Sequence, residues 1–289
     1  MLFFKKVYYK LNALLFREIR KNTNLIKINT AFSRGAATSA LRKIDSTNPS
    51  SWEFGAFSQN GEDGIIDFLI ENLNHSNKYF IEIGANNCID NNTAWLAFGK
   101  NFSGLMIEGD DYLHRTSMDI KPWYTDYHNI FVTAENIAVL EEMSVYKNPD
   151  LFSLDIDGND YYIMKSVLEA GFKPKIIVVE YNSCYGPDLK MTIKYQKDFV
   201  FYKAHESCLY YGVSISLWKQ LLGSFGYKFI TVDSNGVNGF FVDENCFKKD
   251  FLNSINGCHF NENLHQLRRF KKGWEYQHDL IKHMPLQHM

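Results

Sequence analysis

Residues Tyr79–Asn87 read YFIEIGANN. Five aromatic, β-branched and acidic residues closed by a glycine make a short, buried β-strand that stops at Gly84. Working outward, Leu105–Ile107, between Gly104 and Glu108, reads as a second strand and Asn129–Val132 as a third. Leu151–Ile156 is the fourth and Lys175–Tyr181 the fifth. Helical spacing fills the gaps, around Ala94–Phe98, Ile137–Met143 and Tyr161–Ala170. Short apolar runs alternating with helices are the pattern of βα units and a parallel sheet. The end of the pattern differs. A helix over Ser216–Phe225 precedes two strands, Tyr227–Val232 and Gly239–Val242, joined by a turn containing Ser234, Asn235, Gly236 and Asn238. Asn and Gly tolerate positive φ, so this turn predicts an antiparallel hairpin.

Size and charge narrow the function classes. A chain of 289 residues, 45% hydrophobic, can bury one large core. With 31 basic and 33 acidic residues the net charge is -2, so no global field gathers nucleic acid and none is expected as a partner. Cys88, Cys184, Cys208, Cys246 and Cys258 lack C-x-x-C spacing and read as reduced thiols of a cytoplasmic protein.

No apolar run approaches the roughly 20 residues of a membrane span. Near the N-terminus, Phe4, Val7, Tyr8, Leu11, Leu14 and Leu15 recur at helical spacing among Lys5, Lys6, Lys10, Arg17 and Arg20. Charges throughout, and no small-residue cleavage site, argue against a signal peptide. Such a helix most often packs on its own domain or a partner subunit; the other outcome is peripheral contact with the inner face of a membrane. Thr30–Ser51 is small and polar with few periodic apolar positions, so the ordered domain is expected to start near Trp52. The expected division is residues 1–51, helix and linker; 52–245, the α/β domain; and 246–289, a helical tail.

In open α/β sheets ligands bind at the carboxyl ends of strands, near the point where strand order reverses. The first strand ends at Glu82-Ile83-Gly84-Ala85-Asn86. Its lone glycine is not the G-x-G-x-x-G of a dinucleotide fold, but lets backbone approach a ligand. The second ends at Glu108, where a carboxylate can accept from both hydroxyls of a ribose. Each alone is equally a turn or a solvated acid; together they point to a nucleoside-containing ligand. The fourth strand ends in Asp155, Asp157 and Asp160, whose mutual repulsion needs a cation, a proton or solvent to relieve it. The fifth ends in Glu180-Tyr181-Asn182. Asp157, Glu180 and Asn182 are expected to converge, as oxygen ligands for Mg²⁺ or as a polar site for substrate hydroxyls. Upstream, Ser58–Gly64 (SQNGEDG) precedes a helix over Ile65–Asn72, as helix-entry chemistry or as a lid. His205 is a reserve general base on its near-neutral titration.

These runs resemble the FkbM-like S-adenosylmethionine-dependent methyltransferases: SQNGEDG at 58–64, FIEIGANNCIDNNT at 80–93, GLMIEGD at 104–110, LDIDGNDYYI at 154–163, VVEYN at 178–182 and GVNGFFV at 236–242. The resemblance covers Trp52–Val242. It implies a Rossmann-like class I methyltransferase fold, a mostly parallel seven-stranded sheet ending in an antiparallel hairpin. It implies that Glu82, Gly84, Ala85 and Asn86 contact the methionine part of the cofactor and that Glu108 holds the ribose. The segment Thr133–Asn136, with Glu135 and Asn136, would then lie near adenine, and Asp155 would border the cofactor. The loop has fewer glycines than the family's usual one. A second similarity, to metal-dependent O-methyltransferases of the caffeoyl-CoA and macrocin types, rests on Asp155-Ile-Asp157 and Glu180-Tyr-Asn182, with Glu where those families carry Asp.

The function expected is O-methylation of a small polar acceptor, such as a sugar in surface-glycan or secondary-metabolite biosynthesis. Asp157 and Glu180 would be catalytic, and the acceptor pocket would be built from the aromatic stretch Tyr185–Tyr211 and the C-terminal tail. The alternatives are a non-catalytic or membrane-associated binding protein on the same fold and an NAD-dependent oxidoreductase. The lone glycine and the hairpin oppose the latter.

Overall fold

The computed structural model describes residues 2–289; the side chains of residues 2–4 and 7, including the stripe positions Phe4 and Val7, lie outside the description. The main sheet has seven strands in the order β3-β2-β1-β4-β5-β8-β7. Here β1 is Tyr79–Ile83, β2 Ser103–Glu108, β3 Thr125–Asn129, β4 Leu151–Leu154 and β5 Ile176–Glu180; β7 (Tyr227–Val232) and β8 (Asn238–Asp243) form the hairpin. The first five pair in parallel, whereas β8 runs antiparallel to both β5 and β7. This is the expected Rossmann-like α/β architecture, a mostly parallel seven-stranded sheet with a closing antiparallel hairpin.

Both sheet faces are covered, which is why the central strands are apolar on both sides. On one face α4 (Ala138–Met143), α5 (Asp160–Glu169) and α7 (Ile215–Ser224) pack over Ile81, Ile83, Phe152 and Leu154. On the other, α2 (Glu62–Glu71), a single π-helical turn at Trp95–Gly99 and α8 (Lys249–Ser254) cover Phe80, Met106 and Phe240. The hairpin turn is built as its residues suggest. Gly236 has φ +72°, and the Asp233 carboxylate accepts from the amides of Asn235, Val237 and Asn238.

The third strand departs from expectation. It is Thr125–Asn129, not Asn129–Val132. At the sheet edge only one side chain in two is buried, here Thr125 and Tyr127, and the polar Asp126 and His128 mask the strand. The apolar Ile130, Phe131 and Val132 follow it and line a cleft instead.

The N-terminal helix, α1, spans Leu2–Leu41, 40 residues, running through the first part of the expected linker. Its small residues serve close packing: Ala31 and Phe32 join Phe54, Ala56 and Phe57, and a β-carbon on Gly35 would fall 2.6 Å from that of Ala56. Arg42 then binds the Trp52 carbonyl (2.5 Å) and Asp67 (3.3 Å).

Short segments complete the chain: α3 (Asp111–Ser117) after β2, and β6 (Met191–Ile193) and α6 (Phe201–Ala204) between β5 and α7. Beyond α8 come α9 (Leu264–Phe270), α10 (Trp274–Ile281) and a strand, β9 (Leu286–His288), antiparallel to β6. The tail thus ends by pairing with the insertion after β5, and its Ile281 packs with Tyr185, Tyr210 and Tyr211.

Candidate functional site

The chain leaves β1 toward β2 and β3, then returns to the other side of β1 with β4. The connections that leave β1 and β4 therefore run to opposite sides, making a topological switch point, where α/β sheets open a crevice. A cleft of about 690 Å³ lies there. Gly84, Asn86, Glu108, Asp155, Asp157 and Glu180 all line it.

Gly84 has φ +87°, and a β-carbon would stand 1.7 Å from the Asp155 carbonyl oxygen. Only glycine permits the two strand ends to meet so closely. Next to it, Asn86 holds φ +48° and its backbone amide donates to Glu108 Oε2 (2.8 Å). The other Glu108 oxygen accepts from the Asp110 amide (2.7 Å). Two backbone donors fix this carboxylate at the rim, and burial raises its pKa. Glu82, two residues before Gly84 and on the α2 side of the sheet, accepts from the Asn92 amide (3.0 Å) and the Thr93 hydroxyl (2.5 Å). Burial pushes it up to about 7.

Across the cleft, carboxylate oxygens of Asp155, Asp157 and Glu180 lie within 4.8 Å of one another. Asp155 and Glu180 are hydrogen-bonded to each other. Burial, reinforced by the neighbouring carboxylates, raises both well above the usual range. Both carboxyls are therefore biased toward the neutral form. Asp157 is pushed up to about 6 by burial and by Asp160. It is therefore ionised at neutral pH.

The turn that carries Asp157 is built by Asp160. Its carboxylate accepts from the amides of Ile156 (3.0 Å) and Gly158 (2.8 Å), leaving Asp157 at φ +53°. A non-glycine residue in this region costs roughly 1–3 kcal/mol. Asp160, predicted as a third member of the acid group, is thus spent on the turn.

Other expected residues lie elsewhere. Asn182 is fully buried behind the cleft, donating to the carbonyls of Leu209 (2.7 Å) and Tyr211 (3.0 Å) and accepting from the Cys184 amide. Its oxygen also accepts from Gln266 Nε2 (3.4 Å), which leaves no lone pair for a metal, and Asp155 joins Asp157 and Glu180 instead. His205 does not line the cleft; its Nδ1 lies 2.7 Å from the Ser207 hydroxyl and its ring beside His283. Glu135 and Asn136 do not line it either. Glu135 accepts from the Tyr195 hydroxyl (2.7 Å), and Asn136 closes its own loop onto Thr133 and Phe131. Ala85 is buried, with its amide on the Ile107 carbonyl.

Several lining residues carried little signal in the sequence. Phe131 and Val132 form an apolar wall beside Glu108. From the SQNGEDG run, Ser58, Asn60 and Glu62 enter the cleft, with Glu62 buried and bound to Asn238 Nδ2 (2.8 Å). Phe199–Tyr202 bring the aromatic stretch to the cleft, and the tail contributes Asn263 and His265. The histidine at the site is therefore His265, on α9, which nothing in its local sequence distinguishes.

No family model matches the chain, and no curated protein matches it in sequence. Solved structures do. An O-methyltransferase from Bacillus cereus, in complex with S-adenosylhomocysteine, is 13% identical over 74% of this chain and 88% of that one, with a TM-score of 0.41. The O-methyltransferase TomG from Streptomyces achromogenes, with S-adenosylmethionine, is 14% identical over 72% and 94%, at 0.40. The methyltransferase domain of METTL16 is 12% identical at 0.32; the match covers 40% of this chain and about half (49%) of that domain.

Proposed function

We propose that this protein is an S-adenosylmethionine-dependent methyltransferase that methylates a hydroxyl of a small polar acceptor, such as a sugar. The observation that carries the proposal is one cleft at the switch point. It has a glycine turn and a ribose-ready carboxylate on one side and the converging acids Asp155, Asp157 and Glu180 on the other.

In this reading Glu108 accepts from the ribose hydroxyls with the lone pairs its two amide donors leave free. Ile107, Phe131 and Val132 give adenine an apolar wall, and Gly84 and Asn86 face the methionine part. Bound S-adenosylmethionine supplies a methyl group on a sulfonium, whose C–S bond breaks as the acceptor O–C bond forms, the electron pair returning to sulfur. Alignment carries much of such a displacement. Asp157 takes the proton that the acceptor hydroxyl loses, a role suited to a carboxylate that titrates near 6. Asp155 and Glu180, whose carboxyls burial biases toward the neutral form, lie beside Asp157. The polar side chains Asn60, Asn92 and Glu62, with Phe199–Tyr202 opposite, suit a hydroxyl-rich acceptor.

Asp155, Asp157 and Glu180 are hard oxygen donors at a spacing that also fits Mg²⁺. Held there, the ion would lower the acceptor's pKa as a Lewis acid. The test is transfer of a labelled methyl group from S-adenosylmethionine to a panel of monosaccharides and nucleotide sugars, with Mg²⁺ and with EDTA. Labelled acceptor that disappears in Asp157→Asn supports the reading. Transfer that persists in that variant removes Asp157 as the base.

A further inference from the structure

The first half of α1 is turned the opposite way from a helix that packs on its own domain. At 100° per residue, Tyr8, Leu11, Leu15, Ile19 and Ile26 share one stripe. All five are exposed, Leu15 by 58% and Ile26 by 65%. The side facing the domain is polar. Arg17 makes a two-pronged bond to Asp119 (2.7 and 2.5 Å), the Arg20 guanidinium lies over the Tyr112 ring, and Lys27 pairs with Asp90 (3.5 Å). Further along, Ala31, Phe32 and Gly35 anchor the helix to the body. The helix is thus held by its polar face and its C-terminal half, and the apolar stripe is left to solvent.

Charge selects what covers the stripe. With Arg17, Arg20 and Lys27 turned to the domain, residues 5–27 still hold Lys5, Lys6, Lys10 and Lys21 against the single acid Glu18, in a chain of net charge -2. Packing two copies of this segment together would bring like charges side by side. An anionic surface with an apolar interior matches the stripe, Lys5 beside it, and Lys6, Lys10 and Lys21, whose long stems can carry their charges toward the boundary. No helix among the described residues is long and apolar enough to cross a membrane, so the fit is to lying on the surface.

We propose that α1 docks this protein on an anionic phospholipid bilayer, its outward stripe of Tyr8, Leu11, Leu15, Ile19 and Ile26 sunk into the interface. The Lys27–Asp90 pair joins the docked helix to the rim of the cleft.

The test is co-sedimentation of the full chain with vesicles of phosphatidylcholine alone and of phosphatidylcholine with phosphatidylglycerol, at low and high salt. Binding to the anionic vesicles only, weakened by salt and reduced roughly tenfold or more by Leu11→Glu with Leu15→Glu, is expected. Both residues are exposed, so the double variant keeps the fold, and Leu11→Ser with Leu15→Ser repeats the test without added charge. Absence of binding to anionic vesicles, or binding that both double variants leave unchanged, overturns the proposal. So does sedimentation velocity showing a stable dimer that Leu15→Glu dissociates, since a second copy would then cover the stripe.

Discussion

The carbonyl oxygen of Asp155 occupies the place where a β-carbon on Gly84 would have to stand, 1.7 Å away. The ends of β1 and β4 are therefore locked together by a glycine, and the two halves of the cleft are registered by that contact. The turn that leaves backbone open to a ligand is at the same time the joint between the strand bearing Glu82 and the strand leading to the acids.

Gly84→Ala is expected to cost about 3 kcal/mol or more, combining a left-handed backbone with a clash against main chain that cannot move. Gly171 supplies the control, since it also has positive φ (+85°) but nothing within 4 Å of its would-be β-carbon. Gly171→Ala should cost about 1 kcal/mol. Urea unfolding of the two variants checks this. Equal losses would mean that the approach to Asp155 adds nothing.

Asp157→Asn should lower turnover by roughly 100-fold or more, the usual worth of a positioned base. Affinity for S-adenosylhomocysteine should change little, because asparagine also tolerates the left-handed backbone at this position. Single-turnover rates and a separate binding titration distinguish the two effects. Loss of affinity with intact turnover would move Asp157 from chemistry to cofactor binding.

The acid group gives the ligand-free protein a pH signature. Burial raises Asp157 from its ordinary value to about 6, so the folded state holds that proton more tightly than the unfolded chain does. Its burial imposes no penalty at low pH, and stability is lost as pH rises through about 6. Asp155 and Glu180 act in the same direction at higher pH. Thermal melts from pH 5 to pH 8 should fall, and Asp157→Asn should flatten the first part of the fall. If the acids hold Mg²⁺, the ion should raise the melting temperature more at pH 8 than at pH 5; a Mg²⁺ effect independent of pH would count against binding at this group.

At the opposite end of the sheet, Lys175 and Asp150 form a buried ion pair (2.6 Å). The lysine also donates to the His75 carbonyl, and Asp150 accepts from the amides of Asn77 and Lys78. Lys175→Met leaves the carboxylate buried without its cation and should cost about 3–5 kcal/mol. Cofactor affinity should be unchanged at temperatures where the variant is folded. A stability loss under about 1 kcal/mol would show that water or the amides suffice.

How far the sequence could be read depended on burial. Strands β1, β4 and β5 are buried on both faces, so their apolar runs were legible and the acids ending them stood out. The edge strand β3 alternates and hides behind the apolar wall that follows it, which displaced the expected strand by four residues. Asp157 and Glu180 were legible because strand ends converge by topology, whereas Asp155, expected to border the cofactor, joins them in the acid group. Asn182 shares that position, but its side chain turns back to hold Leu209 and Tyr211, a choice made by tertiary packing. His265 reaches the cleft only because the tail folds back over the sheet end. The apolar periodicity of α1 was plain as well, but which face meets the domain depended on partners such as Asp119, 102 residues away.

The central claim is that this cleft binds S-adenosylmethionine through Glu108. Calorimetric titration of the full chain with S-adenosylmethionine and S-adenosylhomocysteine, in wild type and in Glu108→Ala, tests it most directly. The account predicts a one-to-one complex that Glu108→Ala weakens roughly tenfold or more, the worth of charge-assisted bonds to two hydroxyls. No heat with either ligand, or a complex indifferent to Glu108, would contradict it.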